Sequence, residues 1–160
     1  MTTYFDYKTE QRCDVLVIGG GLAGMYSAIS AASSGARVRL ICKSKTGGSG
    51  NSVVAMSVHR FAPDAPGLRE DYRRQFLASG AEEQDEEVAA FFVDHAAAAM
   101  ERLRSLGLPL EYRTLSENGK EYPYLACCSP KRGRILTAAV REKLRAYPGI
   151  IVEDGVTVCD

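Results

Sequence analysis

The chain has 160 residues, enough for one domain with a substantial core. Its 20 basic and 20 acidic side chains cancel, which excludes a global field drawing it to nucleic acid or to a membrane surface. No apolar run reaches the length of a spanning helix, and five irregularly spaced cysteines, one of them unpaired in any scheme, point to a reducing, cytoplasmic setting.

Met1 to Arg12 is polar, lacks a signal-peptide core and reads as a leader, so the domain is expected over residues 13–160. Val15 to Ile18 is an uninterrupted apolar run and predicts a strand buried on both faces. It leads directly into Gly19-Gly20-Gly21-Leu22-Ala23-Gly24, a G-x-G-x-x-G turn. Met25 to Ser34, rich in Ala and Ser and free of proline, predicts a helix ended by Ser33-Ser34-Gly35, and Arg37 to Cys42 a second strand. This strand–turn–helix–strand order is what binding a dinucleotide pyrophosphate requires. Gly19 permits the turn, Gly21 lets phosphates approach the backbone, and Gly24 lets the helix sit close to the sheet. The helix N-terminus supplies N–H donors and a positive dipole end.

The residue that would hold a ribose in an ordinary NAD site is an acid ending the second strand; here that place is Cys42, followed by Lys43-Ser44-Lys45. Two readings follow from the residues. The lysines pair with a 2′-phosphate, which means NADP, or Lys43 and Ser44 hold an adenosine ribose or phosphate in a flavin site. The loop Gly47-Gly48-Ser49-Gly50-Asn51-Ser52 favours the flavin, whose ring needs anchoring far from the adenine by backbone N–H groups and small hydroxyls.

Beyond the loop and Val53-Val54-Ala55, His59 to Gly67 contains two prolines and is expected to be irregular. Leu68 to Ser79 predicts a helix. Asp85 to Leu106 predicts a longer one, with Val88, Phe92, His95, Ala99, Leu103 and Leu106 on its buried face and His95 as a core histidine. Tyr112 to Tyr124 reads as strand pieces about an Asn118-Gly119 hairpin turn. Ile135 to Tyr147 predicts a helix with Ile135, Ala138, Ala139 and Leu144 inward. Ile150 to Glu153 begins a strand that Val156 to Val158 is expected to continue. Cys127-Cys128 lacks the spacing of a zinc site, and no metal site is expected.

The order of glycine turn, second strand ending in Cys-Lys and Gly-Ser-rich loop resembles the fumarate reductase/succinate dehydrogenase flavoprotein family, which includes L-aspartate oxidase. Further along, Phe76 to Gly80, the helix to Leu106, Leu106-Gly107-Leu108-Pro109-Leu110, Cys127-Cys128, Gly133-Arg134-Ile135-Leu136 and Leu144 to Val156 follow the same family's order. The resemblance implies an α/β fold: a Rossmann-like FAD-binding domain with a parallel sheet flanked by helices, incomplete at its C-terminus. It implies that Gly19, Gly20, Gly21, Leu22, Ala23 and Gly24 bind the FAD pyrophosphate and that Lys43 and Ser44 lie by the adenosine ribose. Gly48, Ser49, Gly50, Asn51, Ser52, Ala55, Met56 and Ser57 would lie along the pyrophosphate and flavin, and Val156 would offer backbone contacts to adenine. Members that attach FAD covalently use a histidine where Asn51 stands, so noncovalent FAD is implied. The family's A-Q-G-G is Ala55-Met56-Ser57-Val58 here, which narrows the space over the ring.

The resemblance further implies hydride transfer through flavin N5 with a small substrate of the dicarboxylate class. The resemblance implies that the capping domain and C-terminal FAD segment that would complete this chemistry are absent, and the fragment is expected to be inactive alone. No catalytic residue is named; Arg132 and Arg134 qualify only by charge. Two other readings stand beside this one: an NADP-binding reductase domain, and a non-enzymatic module or split subunit. The last would use an open sheet edge after Val158 to bind a partner subunit or a second copy. Neither nucleic acid nor direct membrane insertion is expected.

Overall fold

The computed structural model describes residues 10–55, 58–62, 66–80, 85–127 and 132–159. The elements are β1 (Val15–Ile18), α1 (Leu22–Ser33), β2 (Val38–Cys42), α2 (Asn51–Val54), β3 (Val58–Arg60) and α3 (Pro66–Ser79). They continue with α4 (Glu86–Arg104), β4 (Leu110–Glu117), β5 (Lys120–Cys127), α5 (Arg132–Leu144) and β6 (Ile150–Asp154). The chain divides into two units: one contains residues up to Gly50 and from Val140 onward, the other Asn51–Ala139.

In the first unit a three-stranded parallel sheet has the order β1-β2-β6. The expected βαβ opening is present, with β1 and β2 adjacent and in register from Val15 opposite Val38 to Ile18 opposite Ile41. Asp14 fixes the start of this pairing by accepting from the Arg37 backbone N–H at 2.8 Å and from its guanidinium at 2.9 and 3.1 Å. Helix α1 packs on all three strands, burying Met25 and Ala28 together with Val17, Val38 and Leu40.

Side chains alternate across a strand, and the alternation corrects one expectation. β1 is not buried on both faces: Leu16 is 52% and Ile18 63% exposed. They lie on the face opposite Val17, where the register aligns Leu16, Arg39 and Ile151, and Arg39 pairs with Glu153 across β2 and β6. Only every second residue of β1 reaches the layer that α1 provides.

A second correction concerns the last strand, which stops at Asp154. Gly155 has φ +80° and leads the chain out of the ladder, and the Val156 N–H then donates to the Cys42 carbonyl at 3.0 Å. Among the described residues Val156 to Val158 do not continue β6, and the edge strands of this sheet are β1 and β6.

The second unit holds an antiparallel sheet of order β3-β5-β4. Its β4–β5 hairpin turns at Asn118 and Gly119, with φ values of +52° and +74°. These positive angles give the turn the twist that antiparallel strands need. The stretch expected to be irregular contains most of β3, paired with β5 through His59 and Leu125, and the start of α3. Pro66 opens that helix at the position where its missing N–H costs nothing.

Ala62, Tyr72, Val93 and Tyr122 form one core cluster, and Phe61, Ala96 and Leu125 another. The Arg60 guanidinium lies against the Tyr72 and Tyr122 rings, 5.2 and 4.6 Å from their centroids, and pairs with Glu117 at 2.8 Å.

Helix α4 forms as expected, capped by Asp85, whose carboxylate accepts from the Glu87 and Val88 N–H groups. Its buried face differs in part: Leu103 is buried as expected, but Val88, Phe92, His95 and Ala99 are exposed. Ala89, Val93, Ala96 and Leu103 face inward, whereas Val88 and Phe91 are each 65% exposed and Phe92 is also exposed. The alanines let the helix approach its neighbours closely, and periodicity weighted by side-chain bulk selects the wrong side. His95 is exposed rather than in the core; it stacks on Phe91 and its Nδ1 lies 2.8 Å from the Phe91 carbonyl oxygen. In α5, likewise, Leu136, Thr137, Val140 and Leu144 are buried while Ala138 is exposed and Ile135 and Ala139 only partly buried.

Candidate functional site

The first unit brings the glycine turn, the residues after β2 and the residues after β6 to one place, the carboxyl edge of a parallel sheet. That edge is where open α/β sheets bind ligands. Gly19 follows β1 with φ +108°, a conformation that costs little only for glycine, and its N–H donates to the Ile41 carbonyl at 2.8 Å. Gly21 caps α1 in extended conformation with no side-chain hydrogen bond to the first turn. The donors of the first turn thus have no capping oxygen from Gly21, the arrangement that favours an anion.

Gly20 and Gly24 act sterically. A Cβ on Gly20 would lie 2.8 Å from Cys42 Sγ and from Thr46 Cα and Oγ1. A Cβ on Gly24 would overlap the Gly19 carbonyl oxygen and touch Val17 Cγ1 at 3.4 Å. The close helix–sheet packing expected of Gly24 is therefore contact with the turn itself as well as with β1.

Residues 43–50 form a series of turns beside this cradle. Lys43, Ser44 and Lys45 are exposed, and the Ser44 and Ser49 hydroxyls are hydrogen-bonded to each other. Gly47 and Gly50 have φ +67° and +81°, and the Gly48 N–H donates to the Lys45 carbonyl at 2.8 Å. Val156 is present at the same edge, and its N–H is engaged by the Cys42 carbonyl.

Thr46 and Asp154 hold this loop, and neither stands out in the sequence. Thr46 is fully buried, and its N–H and Oγ1 both donate to Asp154 Oδ1 at 2.7 Å. The adjacent Gly47 N–H donates to the Gly20 carbonyl at 2.8 Å. β6 pairs with β2 so that Asp154 is opposite Cys42, and a carboxylate thus arrives at the end of β2 from a different strand. Partial burial pushes the Asp154 carboxyl upward, but the Thr46 hydroxyl and N–H, with Arg141 and Lys45, outweigh this and hold it below its ordinary value. The only signal for this pair was an aspartate ending an apolar run, which reads as strand from sequence alone.

The other expected site residues belong to the second unit. Asn51 and Ser52 lie in α2 with Val53 and Val54, and Ala55 follows it; Met56 and Ser57 lie outside the described residues, as does Cys128. Gly133 of α5 packs so closely on this turn that a Cβ would overlap the Ser52 carbonyl oxygen and lie 2.6 Å from that of Val53. His59 is half-buried in β3, its Nε2 without a hydrogen-bond partner, and burial pushes its pKa down. Arg134 is exposed. Among the described residues no group of His, Cys, Asp or Glu is placed to hold a metal ion, and no helix is long and apolar enough to cross a membrane.

The sequence profile of the family described as FAD binding domain matches residues 14–148. The chain belongs to this family. It is an FAD-binding domain by this match, which covers most of its length. L-Aspartate oxidase of Halobacterium salinarum is 34% identical over 121 residues, which cover 74% of this chain and 22% of that protein.

Among solved structures, Escherichia coli quinol fumarate reductase superposes with a TM-score of 0.76 at 23% identity, covering 89% of this chain and 26% of that one. A 3-ketosteroid-delta4-(5alpha)-dehydrogenase from Rhodococcus jostii gives 0.72 at 18% identity, covering 88% of this chain and 37% of that one. These likenesses show the fold. This FAD-binding domain spans about a quarter of the length of the fumarate reductase chain and less of the oxidase.

Proposed function

We propose that this chain binds FAD noncovalently and serves a flavin-dependent oxidoreductase. The observation that carries the reading is the start of α1, with no side-chain cap and with glycine-only geometry before it, at the carboxyl end of β1. Gly19 to Gly24 would hold the pyrophosphate, Gly19 by making the turn and the residues after it through backbone donors, and Lys43 and Ser44 the adenosine side. Gly48, Ser49 and Gly50 would add small donors, as would Asn51, Ser52 and Ala55 to Ser57 toward the flavin. Val156 would offer backbone contacts to adenine.

When bound, the flavin supplies hydride transfer through N5. The chain's own residues bind and orient it, and none of them is assigned as a proton donor. Asn51 has no nucleophilic ring nitrogen, which supports noncovalent attachment. For the whole protein we propose a small substrate of the dicarboxylate class, in keeping with the relative named for L-aspartate, a partner subunit in the electron path and a cytoplasmic setting.

An absorption spectrum of the purified protein, before and after added FAD and after acid, tests this. Flavin bands that acid releases into solution are the expected result; a colourless protein that takes up no FAD overturns it. The exposed Lys43 and Lys45 favour NADP as the second reading, and NADPH titration in the same cell reads that outcome.

A further inference from the structure

We propose that Asp154 is a positioning residue of the dinucleotide site, acting through Thr46 and Gly47 on the peptide between Gly20 and Gly21. The proposal rests on the FAD reading above and names a residue of that site that the glycine motif does not contain.

The chain of contacts is continuous and lies within one unit. Asp154 Oδ1 accepts both the N–H and the Oγ1 of Thr46 at 2.7 Å. Thr46 is fully buried, so its hydroxyl has no water to replace that acceptor. The next N–H, of Gly47, donates to the Gly20 carbonyl at 2.8 Å. In a trans peptide the carbonyl and the following N–H point in opposite directions. Holding the Gly20 carbonyl toward the loop therefore turns the Gly21 N–H away from it, and Gly21 is the cap of α1.

The close fit makes the coupling stiff. Thr46 Cα and Oγ1 fill the space over Gly20, so a shift of Thr46 moves the turn instead of being absorbed by a gap. Other charges at Asp154 are placed to hold it without replacing it: Arg141 is 3.4 Å from Oδ2, and Lys45 acts only through its field.

The test uses ADP as the probe, measured by titration calorimetry, with amide exchange of Gly47 and Gly21 in the free protein. Asp154→Ala is expected to speed Gly47 exchange and to weaken ADP about tenfold, the loss of one well-placed donor. Asp154→Asn and Thr46→Ser keep acceptor and donor and are expected to restore binding to within about twofold. Asp14→Ala removes the Arg37 clamp at the opposite end of the strands and serves as the control for stability alone: it lowers the melting temperature and leaves ADP affinity unchanged.

Wild-type ADP affinity in Asp154→Ala, or affinity that falls equally in Asp14→Ala, overturns the proposal. If Asp154→Ala does not fold, Thr46→Val decides, and unchanged affinity there also overturns it. A wild-type protein that binds no ADP overturns the dinucleotide reading and this role with it. That result is distinguishable because Gly47 exchange still reports the Asp154–Thr46 contact.

Discussion

The space that a Cβ on Gly24 would need is taken by the carbonyl oxygen of Gly19. The last glycine of the motif is thus required by the turn's own backbone, before any ligand is considered. Gly24→Ala is expected to destabilise the protein by about 1–3 kcal/mol through overpacking, read by urea unfolding. Gly21 is different: with φ −76° and ψ −177° its backbone suits any residue. Gly21→Ala is expected to fold with near-normal stability and to lose FAD affinity, and tight FAD binding by that variant would remove Gly21 from the site.

Acid should release the clamp at the start of the sheet. Hydrogen bonds from the Arg37 side chain, then from its backbone N–H, lower the Asp14 pKa from 3.8 to about 2. A carboxyl depressed in the folded state contributes stability that is fully present above its unfolded pKa and is lost as pH falls through the folded one. The melting temperature of the wild type should therefore drop toward that of Asp14→Asn between about pH 4 and pH 2. Parallel curves over that range would show that the pair contributes nothing.

The two faces of α4 should respond in opposite ways. Leu103 is buried and Phe91 is 65% exposed. Leu103→Ala is expected to cost about 2–5 kcal/mol, and Phe91→Ala to stay within about 0.5 kcal/mol. Denaturant midpoints of the two variants check this, and a larger loss at Phe91 than at Leu103 would contradict the burial of this face.

The hairpin turn depends on its glycine. Gly119 has φ +74°, so Gly119→Ala is expected to cost about 1 kcal/mol in left-handed backbone strain. Asn118→Gly should be tolerated, because Asn118 already sits at φ +52°. Thermal unfolding of the two variants is the measurement.

What was legible in the sequence is local. The run from Val15 to Gly24 announces strand, turn and helix because a glycine turn and an apolar run act within a few residues. Asn118-Gly119 announces the hairpin for the same reason, since both residues tolerate positive φ. Lys43 and Ser44 fall at the end of β2 as expected because a strand's end is marked by its own composition. The helices at 66–79, 86–104 and 132–144 follow from periodicity and stops, and their existence was read better than their orientation.

The sequence by itself determined the βαβ opening with its glycine cradle, the hairpin and the longer helices, but not α2 or β3. The tertiary structure alone decided which side chains meet. Asp154 reaches Thr46 across 108 residues of sequence because β6 joins the free edge of β2, and no short-range pattern encodes that pairing. Ala89 and Ala96, rather than Phe91 and Phe92, face the core of the second unit. The free energy of burial depends on how closely backbones can approach as well as on how apolar each side chain is. Leu16 and Ile18 are exposed for a related reason: an apolar residue is buried only where another element covers its face, and α1 covers just one side of β1.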